Sequence, residues 1–140
     1  MKWQQKKKYL ESYRYLVIDI RNIKDEIEEI KQSMTGSSKP LSGMPRSGSG
    51  RQRDMSDYYV RLEALEGKLR KQLKRKVEKQ MIITDAIEAM PTDKLRTLMR
   101  LRYLHGCTWE EVAEQMGITA RWATYLHGDA LKEIKIVPKK

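Results

Sequence analysis

His105, Cys107 and His127 are the side chains of this sequence most suited to holding a metal or exchanging a proton. Their spacing supports neither role. The two histidines stand too far apart to suggest a metal pair, and the single cysteine allows neither an internal disulfide nor a multi-cysteine zinc site. There is no glycine-rich phosphate loop, no carboxylate pair with a supporting base, and no Ser/His/Asp arrangement. Neither catalysis nor a cofactor is expected. His127 falls near the inner face of a short helical pattern, the place of a hydrogen-bonded histidine at a core edge. What remains is the chemistry of recognition. Arg121, Trp122, Thr124 and Tyr125 fall on the opposite, outward face of that pattern, with Ala120, Gly128 and Asp129. Trp122 either meets a partner there or lies flat on its own helix.

Presenting such a face requires a short helix held across another. Thr108 and Glu111, in T-W-E-E, have the spacing of a capping box and open one helix, whose buried face is Val112, Ala113 and Met116. Trp109, in its first turn, is expected to pack against the preceding helix. Gly117 permits a sharp turn, Ile118 plugs the space between the helices, and Thr119 caps the next one. There Ala123, Leu126, Ala130, Leu131 and Ile134 point inward at helical spacing, and the small Ala113 and Ala123 let the two helices cross closely. This is the pattern of a helix-turn-helix. A helix before it, capped by Thr92 or Asp93 and closed by Gly106, carries Leu95, Leu98, Met99, Leu101 and Tyr103 on its apolar side.

The first two thirds of the chain reads as support. Leu16, Ile20, Ile23, Ile27, Ile30 and Met34 alternate by four and three, a heptad seam on a helix over residues 6–34. Residues 35–53 hold Pro40, Pro45 and several glycines and read as a flexible linker. A second long helix over residues 54–90 carries Leu62, Leu65, Leu69, Leu73, Val77, Ile83 and Ile87, and Pro91 stops it. An antiparallel hairpin and an intermolecular coiled-coil arm both satisfy these seams. At the helical rise the first spans about 40 Å and the second about 55 Å. The surplus is expected to pack on the C-terminal unit, residues 91–140, or on another subunit. The expected class is all-α: a long amphipathic, coiled-coil-like helical pair followed by a helix-turn-helix.

A net charge of +10 over 140 residues favours a polyanionic partner, nucleic acid before membrane. No apolar run approaches the roughly 18 residues of a membrane span, and no signal-peptide core follows the basic start, so a soluble cytoplasmic protein with no membrane partner is expected.

From Leu98 to Ile134 the chain, "LMRLRYLHGCTWEEVAEQMGITARWATYLHGDALKEI", resembles region 4 of bacterial sigma factors, the helix-turn-helix that reads the −35 promoter element. It is more similar still to the sigma-region-4-like regulators of phages and prophages, among them the RinA and ArpU types that control late genes. Their "YLxxYRxL"-like start compares with Tyr9-Leu10 through Tyr13-Arg14-Tyr15-Leu16. The resemblance implies double-stranded DNA as partner, with the outward residues of the last helix meeting bases. Arg121 would bond a guanine edge, and Thr124 and Tyr125 would meet phosphate or a thymine methyl, with Trp122 beside them. It also implies a contact with host RNA polymerase, which region 4 docks on.

The sequence departs from that family in charge. Between residues 108 and 134, Arg121 and Lys132 stand against Glu110, Glu111, Glu114, Asp129 and Glu133, where the family usually has more basic or amide side chains on the reading helix. Attraction must come from elsewhere. Lys71, Lys74 and Arg75, in the basic run 68–79, with Arg100 and Arg102, are the phosphate-contact candidates, and Lys6 to Lys8 add more charge. The run 68–79 serves equally as a solvated helix face. Glu110 and Glu114 are the candidates for docking a protein. The expected function is DNA-binding transcription regulation by a homo-oligomer. A small terminase-like packaging subunit and a protein-docking module that does not read DNA are the alternatives.

Overall fold

The computed structural model describes residues 1–35 and 55–137, and the described elements are all helical, with no strand among them. The all-α class and the C-terminal helix-turn-helix agree with expectation. Helix α1 spans Trp3–Thr35 and α2 spans Met55–Glu88. Helix α3, Asp93–Met99, runs into a π-helical turn, Arg100–Leu104; α4 is Trp109–Met116 and α5 is Ala120–Glu133. The segment read as a linker, residues 35–53, lies outside the described residues apart from Thr35, which ends α1.

The two long helices differ from expectation in length. At 33 and 34 residues they nearly match. Helix α1 starts earlier because the Lys2 amide donates to the Gln5 side chain at 2.9 Å and the Lys6 amide donates to the Lys2 carbonyl at 3.0 Å. Helix α2 stops before Met90-Pro91, where proline excludes the helical conformation one residue upstream. The end of its seam still packs on the C-terminal helices: Ile83, Ala86, Ile87 and Met90 join their core.

The chain forms two compact units that divide both long helices: Met1–Val17 with Arg75–Lys140, and Ile18–Lys74. In the second unit, α1 buries Ile20, Ile23 and Ile27, and α2 presents Leu62, Leu65, Leu69 and Leu73, each half-buried. The Gln72 amide donates to the Asp19 carboxylate at 3.3 Å, while Ile30 lines a groove with Asp57, Tyr58 and Arg61, so the pair runs antiparallel. In the first unit, Leu10 and Tyr13 of α1 share one core with Ile83 and Ile87 of α2 and with Leu98, Met99, Val112, Leu131 and Ile134. Each fully buried aliphatic side chain contributes about 1.5–3 kcal/mol. The N-terminal turns of α1 are therefore part of the structure that supports the helix-turn-helix.

Val77, expected on the seam, is 52% exposed. Stepping back by sevens from Ile83 and Ala86 reaches Lys76 and Lys79, both half-buried, and misses Val77. The Lys79 ammonium donates to Ser12 Oγ at 2.6 Å and lies 4.9 Å from the centre of the Tyr9 ring. Burial, with Arg75 nearby, pulls its pKa below the usual lysine value. The seam thus crosses from apolar to polar contacts where an apolar-only pattern takes the nearest valine. Among the described residues no helix is long and apolar enough to cross a membrane.

Candidate nucleic-acid interface

The helix-turn-helix is built by three local devices. At the start of α4, the Glu111 amide donates to Thr108 Oγ1 at 3.1 Å and the Thr108 amide donates to Glu111 Oε1 at 2.8 Å, a reciprocal capping box. At its end, Gly117 takes φ 71°, ψ 33°, a left-handed conformation that a Cβ would strain. The Ile118 amide reaches back to the Ala113 carbonyl at 3.0 Å and completes a Schellman closure. Thr119 then caps α5, accepting from the Trp122 amide at 3.0 Å.

With those ends set, α5 has two faces. Ala123, Leu126, His127, Ala130 and Leu131 are buried, while Arg121, Trp122, Thr124, Tyr125, Gly128 and Asp129 are exposed. The four candidate readers thus share one open face. Trp122 and Tyr125 stack on each other, ring centres 5.1 Å apart and 20° between planes, so the indole leans along its own helix while remaining 45% exposed. The Thr124 hydroxyl donates to the Arg121 carbonyl at 2.8 Å, so its methyl and an oxygen lone pair are what it offers a partner.

A polar cluster holds α5 from behind. The Tyr103 hydroxyl is 2.8 Å from His127 Nε2 and 3.4 Å from Glu11 Oε2. The phenol carries one hydrogen, so the tautomer of His127 decides which of the two groups donates in the shorter bond. Burial first, and then the charges of Lys7 and Arg102, push the His127 pKa down to about 4, so the ring is neutral at pH 7. Burial and the Glu11 carboxylate push the Tyr103 pKa upward and keep its proton on. Trp109 packs with its ring centre 4.8 Å from that of His127 and 4.5 Å from the Arg102 guanidinium, so it rests on the π-helical turn and on α5 together. At the far end of α5, Glu133 accepts from the Thr92 amide at 3.1 Å and from its hydroxyl at 2.8 Å. Thr92 thus bonds to α5 and does not cap its own helix with its side chain.

The phosphate candidates fall in different settings. Lys71 and Lys74 are exposed in the second unit and Arg75 is exposed in the first. Arg100 is ion-paired with Glu88. Arg102 is held inside the protein: its side chain is 12% exposed, 3.8 Å from Glu11, and donates to the Cys107 carbonyl at 3.1 Å. Glu110 and Glu114 are exposed on α4. His105 is exposed, and Cys107 is half-buried beside the Gln115 amide. Sequence reasoning counted Lys6 and Glu133 only as charges and did not single out Glu11. Each acts between elements distant in sequence, a relation that local periodicity does not carry.

A chain of helices ending in a capped turn, with one face of the last helix buried and the other open, defines the segment that comparison with known families singles out. Residues 80–123 match the family model for Sigma-70, region 4. The match begins on α2, earlier than the resemblance from Leu98, and ends in the first turn of α5. The segment is thus similar to Sigma-70, region 4, a DNA-binding helix-turn-helix family, and has the helix-turn-helix form in α4 and α5. Of the four candidate readers, Arg121 and Trp122 fall inside the matched stretch, whereas Thr124 and Tyr125 lie just beyond it. No curated protein and no solved structure matches the chain.

Proposed function

We propose that the protein is a cytoplasmic, phage- or prophage-type transcription regulator that reads double-stranded DNA through α5 and touches host RNA polymerase through α4. The observation that carries this reading is the open face of α5: Arg121, Trp122, Thr124 and Tyr125 project from a helix rigidly held on its other side, in a sigma-70 region 4-like segment. Arg121 supplies a fork suited to guanine O6 and N7, while Thr124 and Tyr125 supply short polar and apolar contacts. Lys71, Lys74 and Arg75 on α2 add sequence-independent attraction. Exposed Tyr59, Val60, Val77 and Met81 on the same helix support self-association. The reading has no catalytic step and no cofactor. Selection from a random duplex pool, with full-length protein at fixed salt, tests it; an enriched motif is expected, and a pool that stays random contradicts it.

A second reading draws on one observation, the exposed acids of α4. Glu110 and Glu114 stand clear of the capping box that occupies Glu111. In this reading the helix-turn-helix docks on a protein and reads no bases. Glu110→Lys and Glu114→Lys would then abolish polymerase binding, while Arg121→Ala would change nothing measured on DNA.

A further inference from the structure

Helix α1 reaches α5 with its first two turns. Lys6 Nζ donates to the carbonyl of Leu131 at 2.9 Å and to that of Lys132 at 3.4 Å. These are last-turn carbonyls of α5, for which the helix has no donors of its own. Lys7 is the next residue; it is exposed, and its charge is felt at His127. Lys8 is exposed beside it. The carboxylate one turn on, Glu11, is engaged by Arg14 at 3.6 Å and by Arg102 at 3.8 Å, and Glu133 is occupied by Thr92.

Residues three apart on a helix are neighbours. Thr124 and Gly128, three before His127 and Leu131, are therefore exposed neighbours of the α5 residues that the charge of Lys7 and the ammonium of Lys6 reach. Gly128 has a feature of its own. A Cβ there would meet nothing within 4 Å, so packing inside the protein does not require glycine, although glycine weakens a helix interior. A bare backbone at that point lets an outside strand come closer than any side chain would allow.

We infer that Lys7 and Lys8 bind the phosphate strand of duplex DNA that runs along the Gly128 flank of α5, with Lys6 as the positioning residue that fixes α1 to the end of α5. This rests on the DNA-binding reading above and adds a contact surface from the opposite end of the sequence. Phosphate contact by these lysines carries no sequence information, so it supplies the attraction that the acidic helix-turn-helix lacks.

The test is a salt titration of full-length protein on a selected duplex and on a random duplex of equal length. Lys7→Ala/Lys8→Ala is expected to lower the slope of log affinity against log salt by about 0.9 per lost contact, equally on both duplexes. The control Lys24→Ala/Lys31→Ala removes the same charge from exposed positions elsewhere on α1 and is expected to leave the slope near the parent value. Unchanged helicity and melting temperature of both variants exclude a folding cause. A Lys7→Ala/Lys8→Ala slope equal to the parent's, or a control that falls as much, overturns the inference alone. A parent protein that binds neither duplex overturns the DNA-binding reading and this inference with it.

Discussion

At the scale of single residues, His127 and Gly128 make opposite demands on the same helix. His127 is buried and neutral, with Tyr103, Glu11, Lys7 and Arg102 around it. Its folded pKa, about 4, lies below the ordinary histidine value of 6.5, so the unfolded chain binds the proton more readily. Stability should therefore fall as pH drops through 6.5 and level off below about 4, a loss on the order of 3 kcal/mol. Chemical denaturation at pH 7.5 and 4.5 measures it, and His127→Gln should flatten that difference; a wild-type stability equal at both pH values contradicts the assignment. At Gly128, an added methyl meets open space, so Gly128→Ala should stabilise the fold by about 1 kcal/mol. The same change should weaken DNA binding if a strand passes there. Higher melting temperature with undiminished affinity would show that DNA stays away from this flank.

At the scale of elements, the helix-turn-helix is only as firm as what lies under it. Thr108→Ala removes the acceptor that caps α4 and should cost about 1 kcal/mol. Leu10, far away in sequence, is fully buried in the same core, so Leu10→Ala should destabilise the C-terminal helices by roughly 2–5 kcal/mol. Thermal unfolding followed by Trp109 fluorescence, in a Trp3→Tyr/Trp122→Tyr background that leaves it the one tryptophan, reads both, because that ring rests between Arg102 and His127. A Leu10→Ala transition at the parent temperature would mean that α1 is not part of this core. These elements were unequally legible in the sequence. The capping box, the Gly117 turn and the inward positions of α5 follow from spacing alone, because local hydrogen bonds and helical pitch determine them. The polar stretch of the α2 seam was hidden because Lys76 and Lys79 are half-buried there and the Lys79 ammonium meets Ser12 and Tyr9, contacts that apolar counting ignores. Arg102 read as a surface cation because nothing in its neighbours announces that Glu11, Trp109 and the Cys107 carbonyl converge on it.

At the scale of the whole molecule, the proposed function has one chain divide attraction from reading. The chain carries +10 overall, yet residues 108–134 hold more acids than bases. The supports come from both ends of the sequence, so residues 91–140 alone lose the faces of Leu10, Tyr13, Ile83 and Ile87 and should be largely unfolded by circular dichroism at 25 °C. A cooperative melt of that fragment like the parent's would contradict this. Converting Lys71, Lys74 and Arg75 to Ala should weaken binding to every duplex alike, with the salt slope falling by up to about 0.9 per contact. Base reading behaves differently, and it is the central claim. The most direct measurement is the affinity of Arg121→Ala for the selected duplex and for random duplex at one salt concentration. The expected result is a loss of about 1–3 kcal/mol on the selected duplex, much less on random DNA, and relaxed preference at one position of the motif. Equal affinities of variant and parent on both duplexes would contradict the account and leave α5 as a surface for protein docking.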